Sequence, residues 1–175
     1  PTASNLIITD AFIMEDSPSY SNIEIGDGFS VTLVSSTFIF QNANGFSGVN
    51  DEDDTFSTVD LTQESVMDAM FSSLGLEINV DSTSSLTLRG SGDAINSLAE
   101  RSVVNLSQNA KLTLDSIEEF AEQGDDILLN GVSFTEDPSI LIFSGTTATA
   151  IPESHSVLLS ALPIILLLRR RNRFN

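Results

Sequence analysis

Most of the groups in this sequence that could do chemistry are carboxylates, and they fall in short clusters. Asp51, Glu52, Asp53 and Asp54 follow Asn50, and Asp125 and Asp126 follow Gly124. Clustered carboxylates are the donor type that Ca²⁺ takes. Neither cluster has the spacing of a known calcium loop, so the simpler reading is a solvated acidic loop at 50–54 and a solvated turn at 125–126. Ahead of the C-terminal tail the basic residues are Arg89, Arg101 and Lys111. Cleavage of a polysaccharide would need paired carboxylates, or Ca²⁺ beside a basic residue, gathered on one face. An Arg89–Asp115 pair could form on such a face, but an exposed ion pair is its simpler meaning. The chain has no cysteine and one histidine, His155. That excludes thiolate chemistry, cysteine metal sites and a histidine cluster, and leaves almost no room for a Ser–His–Asp triad. The expectation is a protein without catalytic residues, metal or cofactor.

The elements that would position these groups show in a recurring pattern. The 175 residues are 41% hydrophobic and 18% charged, enough apolar material for one ordinary core. Residues 23–33 (IEIGDGFSVTL), 78–88 (INVDSTSSLTL), 104–114 (VNLSQNAKLTL) and 132–142 (VSFTEDPSILI) share one template: two apolar-x-apolar triplets separated by five residues. A weaker copy at 51–61 keeps only Val59 and Leu61. Copies begin 26–28 residues apart, and Thr32, Thr87 and Thr113 recur within the second triplet.

Alternation with period 2 is the strand period, and the spacer residues favour turns. A unit this short cannot bury its apolar face alone, so stacking of successive units is the logical solution. The pattern therefore predicts a mainly β protein: a right-handed parallel β-solenoid (β-helix) of about five coils, with Ile78, Val104 and Val132 layered over one another. Ser and Thr together number 40, which suits stacked hydroxyl and β-branched positions on an outer face. The competing fold is a β-sandwich of short strands, whose two-residue Asn-Gly or Gly-rich turns are scarce here.

Short helical turns are expected on some coils. Thr62 precedes QESVMDAMFSSL and Gly75, with Val66, Met67, Met70 and Phe71 on one helical stripe. Ser116 and Glu119 form a capping-box pattern ahead of a helix ended by Gly124. Asp93 is placed to cap a short helix through Arg101.

Charge divides the chain into two segments, a body at 1–149 and a tail at 150–175. All 25 acidic residues lie at or before Glu153, against three basic ones, whereas Arg169, Arg170, Arg171 and Arg173 crowd the end. Through residue 154 the formal charge is about −22, which nucleic acid phosphates would repel. The tail itself reads IPES, then HSVLLSALPIILLL, then RRR. The apolar run is shorter than the ~20 residues of a comfortable membrane span, and Pro163 interrupts it. An apolar C-terminal helix is expected there, with the arginines at the cytoplasmic interface.

This order of Pro152-Glu153, apolar stretch and Arg169, Arg170 and Arg171 resembles the PEP-CTERM sorting signal of exported bacterial proteins. Ser154 stands where that signal has a second proline. The resemblance is confined to the tail. It implies export (hence a secretory leader upstream), recognition by an exosortase-type processing enzyme, membrane contact through the tail, and release or attachment at the cell envelope or extracellular matrix. The expected function is that of a non-enzymatic exported protein, with extracellular polysaccharide or other matrix material as its candidate partner. The alternatives are a carbohydrate-active, lyase- or hydrolase-like β-helix fragment using acidic residues with Ca²⁺, and an uncleaved membrane-anchored adhesin.

Overall fold

A computed structural model describes residues 5–15, 22–26, 29–40, 45–48, 57–70, 76–89 and 102–151. Strands dominate because the apolar residues alternate. In Ser30–Val34, for instance, Val31 and Leu33 are buried while Thr32 is half-buried. In chain order the strands begin with β1 (Asn5–Thr9), β2 (Phe12–Glu15), β3 (Asn22–Ile25), β4 (Ser30–Val34), β5 (Thr37–Phe40) and β6 (Gly45–Gly48). They continue with β7 (Ser57–Thr62), β8 (Val66–Met70), β9 (Leu76–Val80), β10 (Ser85–Arg89), β11 (Val103–Leu106) and β12 (Lys111–Thr113). A helix, α1 (Ile117–Glu122), precedes β13 (Ile127–Leu129), β14 (Val132–Ser133), β15 (Leu141–Ser144) and β16 (Thr147–Ala150).

Two sheets of seven strands face each other across the core. The first runs β1-β4-β7-β9-β11-β13-β14 and the second β15-β16-β12-β10-β8-β5-β2; β3 and β6 pair separately. From β1 to β13 and from β2 to β12 every neighbouring pair is parallel. Because the chain alternates between the sheets, this is a β-solenoid arrangement of about three turns, with little helix.

Register builds the core. In the first sheet Val31, Val59, Ile78, Val104 and Ile127 form one inward column, and Leu33, Leu61, Val80, Leu106 and Leu129 form another. In the second sheet Phe38, Met67, Leu86 and Leu112 stack in the same way. Each of these is buried, most of them completely. Burying one such side chain contributes about 1.5–3 kcal/mol.

Serines hold the corner between the sheets. Ser36 Oγ accepts from Ala11 N at 3.1 Å, Ser65 Oγ from Ser36 N at 3.1 Å, and Ser84 Oγ from Ser65 N at 3.1 Å. The Ser65 hydroxyl then donates to Thr62 O at 2.6 Å or to Leu33 O at 3.0 Å. All three serines are buried. A corner must turn the backbone out of the ladder, and these hydroxyls supply the acceptors that its N–H groups would otherwise lack.

The C-terminal part closes the stack with a different pattern. β14 runs antiparallel to β13, β16 antiparallel to β12, and β15 antiparallel to β16. Over this end Phe120, Phe134 and Phe143 pack edge to face, with ring centroids 5.0–6.5 Å apart. Ser116 Oγ accepts from Glu119 N at 3.3 Å at the start of α1, as the capping pattern predicts. Gly124 is required by close approach, since a Cβ there would lie 2.6 Å from Thr135 Oγ1.

The structure corrects several expectations. Residues 66–70 form β8, not a helix. Gln63 and Glu64 turn the chain with φ of 55° and 65°, and Ser65, Met67 and Ala69 are buried in strand alternation between β5 and β10. Parallel pairing on both sides outweighs local helical preference.

The repeat is also less regular than 26–28 residues. Residues in one inward column of the first sheet, from Leu6 through Ile127, are 25, 28, 19, 26 and 23 apart. The copies at 78 and 104 are in phase. The copies at 23 and 51 are not, because Val31-Leu33 and Val59-Leu61 belong to the first sheet, whereas Leu86-Leu88 belong to the second. Val132 does not join the column. Ile127 pairs with Val104 there, and Val132 is 39% exposed in the hairpin. Asp51 and Asp53, the expected helix at 93–101, and the tail beyond Ile151 lie outside the described residues.

Candidate functional site

The most organised polar feature lies on the outer face of the first sheet. Strand alternation that sends Val31, Val59, Ile78 and Val104 inward sends the next residue of each strand outward. Parallel register then stacks Thr32, Asp60, Asn79 and Asn105. Asp60 sits at the centre. Its Oδ1 accepts from Asn79 Nδ2 at 2.9 Å, and its Oδ2 from Thr32 Oγ1 at 3.3 Å. Asn105 Nδ2 donates to Asn79 Oδ1 at 2.9 Å and to Glu77 Oε1 at 2.7 Å, and the Thr32 hydroxyl also lies 3.2 Å from Asn5 Oδ1. The result is a side-chain ladder crossing five strands.

Beside it runs an open groove of about 420 Å³ whose lining includes Asp60, Asn79, Asp81, Asn105, Asn130 and Gly131. Asp81 forms its rim at the turn after β9. Burial alone would raise the Asp81 carboxyl, but hydrogen bonds from Gln63 N–H, Ser84 and Thr83 hold it below the ordinary aspartate value. Its Oδ2 accepts from Gln63 N at 2.8 Å and its Oδ1 from Thr83 N and Oγ1 at 2.9 Å. Asp81 therefore clips one turn of the chain onto the next.

The arrangement offers carboxylates, carboxamides and hydroxyls, a set suited to hydrogen bonding along a line. Among the described residues there is no histidine, and the cations are Arg89 and Lys111. Arg89 Nε binds Asp68 Oδ1 at 2.8 Å on the opposite sheet, and its Nη2 donates to Phe40 O at 2.8 Å. The sequence pairs Arg89 with Asp115, one strand onward, whereas this contact reaches one strand back. Both partners are about one-third exposed, so the pair contributes at most ~1 kcal/mol.

Asp125 and Asp126 sit in the short 3₁₀ turn before β13. Desolvation, then the charge of Asp125, pushes the Asp126 carboxyl above its ordinary value. Among the described residues no three His, Cys, Asp or Glu side chains gather as metal ligands.

The tail residues Pro152, Glu153, Arg169, Arg170 and Arg171 lie outside the described residues. No helix among the described residues is long and apolar enough to cross a membrane. Sequence reasoning missed Asp60, Asn79 and Asn105. The signal available was a polar residue between two aliphatics in each triplet, but the phase error placed Thr32 beside Thr87. Thr87 instead pairs with Thr113 in the second sheet. No family model, curated protein or solved structure matches the chain.

Proposed function

We propose that this chain is a non-enzymatic exported protein of the cell envelope or extracellular matrix, addressed by its C-terminal segment. The observation that carries this reading is the order of the tail: Pro152-Glu153, an apolar stretch, then Arg169, Arg170 and Arg171, attached to a body whose charge is strongly negative. An arginine cluster abutting an apolar run stays on the cytoplasmic side, which puts the acidic body on the other. An exosortase-type enzyme would remove the tail. In this reading the solenoid is right-handed, as crossovers between parallel strands are, and winds through about five coils ahead of an apolar C-terminal helix. The successive parallel partners of β4, β7, β9 and β11 support that count.

The body acts as a stiff surface. Its line of carboxamide and carboxylate groups on the first sheet suits contacts with polysaccharide or other matrix material. The test is expression of the full chain behind a secretory leader in an exosortase-bearing Gram-negative host, followed by fractionation and intact-mass measurement. The expected product is envelope or medium protein that has lost its tail, and truncation after Thr149 abolishes membrane retention. Retention of that truncated protein in the membrane fraction, or a mature mass that includes the arginines, refutes the sorting role.

A further inference from the structure

The outer face of the first sheet carries a second polar column beside the ladder. Two residues beyond Asp60, Asn79 and Asn105 the chain places Thr62, Asp81 and Ser107, and Asn130 stands next in the same column after β13. The open groove of about 420 Å³ lies along these two columns. It crosses the strands from Thr32 to the hairpin turn of Asn130 and Gly131, whose φ values are 52° and 81°. Within the ladder, Asn105 bonds through its Nδ2, and Asn79 through its Oδ1 and one N–H. Asn105 Oδ1 and the second N–H of Asn79 take no part in it.

We propose that this groove binds one strand of a neutral, extended β-linked hexose polysaccharide lying across the β-strands. The assignment rests on the matrix-contact reading above and narrows it to one class of glycan. Sugar hydroxyls both donate and accept, which matches a surface of carboxamides, hydroxyls and carboxylates. Strands repeat every ~4.8 Å, close to the advance of one unit in an extended β-linked hexose chain, so successive sugars can meet successive rungs. Mutual hydrogen bonds already fix the side chains of Asp60, Asn79 and Asn105, so little rotamer freedom is left to lose on binding.

Charge decides the class of sugar. Asp60 and Asp81 line the groove, and no lysine, arginine or histidine joins them among the described lining residues. A uronate chain in the groove would set its carboxylates against these two within the ~8 Å screening length at physiological salt, and like charges facing each other across an interface reject a partner. No aromatic ring is among the described lining residues either. Recognition therefore works through hydrogen bonds and not through stacking.

Isothermal titration of the purified full chain with β-1,4-linked mannohexaose and cellohexaose tests this. Hexamannuronate, which has the mannohexaose backbone with a carboxylate on each unit, and hexalysine serve as the charged comparisons. The expected result is a dissociation constant below about 1 mM for at least one neutral sugar and at least about tenfold weaker binding of hexamannuronate. Asn105→Ala should weaken the neutral sugar about tenfold, whereas Thr87→Ala, on the outer face of the other sheet, should leave it unchanged. Should Asn105→Ala lose the strand signal in circular dichroism, Ser107→Leu, at an exposed position, gives the same readout by crowding the groove. Binding of neither neutral sugar, hexamannuronate bound as tightly, hexalysine bound alone, or an equal effect of the groove variant and Thr87→Ala would each overturn the proposal. Because the sugars are added to purified protein, such a failure leaves the export reading standing, and a chain that is never exported can still pass.

Discussion

Replacing Ile127 and Val132 separately by alanine distinguishes the stacked register from the bare sequence repeat. Ile127 is fully buried and stands over Val104 in the inward column, whereas Val132 is 39% exposed in the hairpin after it. Ile127→Ala removes three carbons from a site walled by the column and leaves a cavity, because β13, held between parallel β11 and antiparallel β14, cannot collapse inward. The cost is about 2–5 kcal/mol. Val132→Ala removes two carbons that already touch water, and should cost under ~1 kcal/mol. Urea unfolding followed by circular dichroism measures both, and an unchanged m value shows that only stability has moved. The expected outcome is a large drop in midpoint for Ile127→Ala and a small one for Val132→Ala. Equal losses, or a larger loss at Val132, would refute the stacking described here and restore the even 27-residue repeat.

Three further substitutions probe the polar framework. Ser65→Ala leaves the buried Ser36 N–H without its acceptor and should cost about 1–3 kcal/mol in thermal or urea unfolding. Asp81 has a folded-state carboxyl held below its ordinary value, so its stabilising contribution is present above the unfolded value of 3.8 and is lost as pH falls through the depressed one. Asp81→Ala should therefore cost about 1 kcal/mol at neutral pH and flatten the acid limb of the stability curve. A variant with the parent's acid sensitivity contradicts that role. Asp126 has the opposite sign: its raised carboxyl stabilises the fold only while protonated, and that contribution disappears as pH rises through the raised value. Asp126→Asn should unfold at higher urea than the parent at pH 7, with the gap closing near pH 3. A gap that widens on acidification would refute the assignment.

Much of this fold was legible in the sequence because period-2 alternation survives whatever strands pair with. Ile78-Val80 followed by Leu86-Leu88 spells out two strands around a corner, and so does Val104-Leu106 followed by Leu112-Leu114. Ser116 and Glu119 announced α1 because a cap acts through local backbone groups. Assignment of strands to sheets was not legible. The same template fits β3 followed by β4 as well as β9 followed by β10, and nothing local tells them apart. The strand at 66–70 was hidden because Val66, Met67 and Met70 also satisfy a helical stripe, and only the buried Ser65 and the flanking strands decide between the two. The ladder was legible in part: Asn79 and Asn105 hold the same place in two in-phase copies. Asp60 falls in the out-of-phase copy, 19 residues from Asn79, and only three-dimensional register reveals it as their neighbour.

The most direct test of the solenoid uses paired cysteines in this naturally cysteine-free chain. Thr58 and Glu77 face each other on the outside of adjacent parallel strands β7 and β9. Thr32 and Thr87, matched by the linear repeat, lie in different sheets. Neighbouring strands are about 4.8 Å apart, within the span a disulfide bridges. Mild oxidation should link Thr58→Cys/Glu77→Cys within one folded molecule and leave Thr32→Cys/Thr87→Cys reduced. A cross-link in the second pair but not in the first would contradict the architecture.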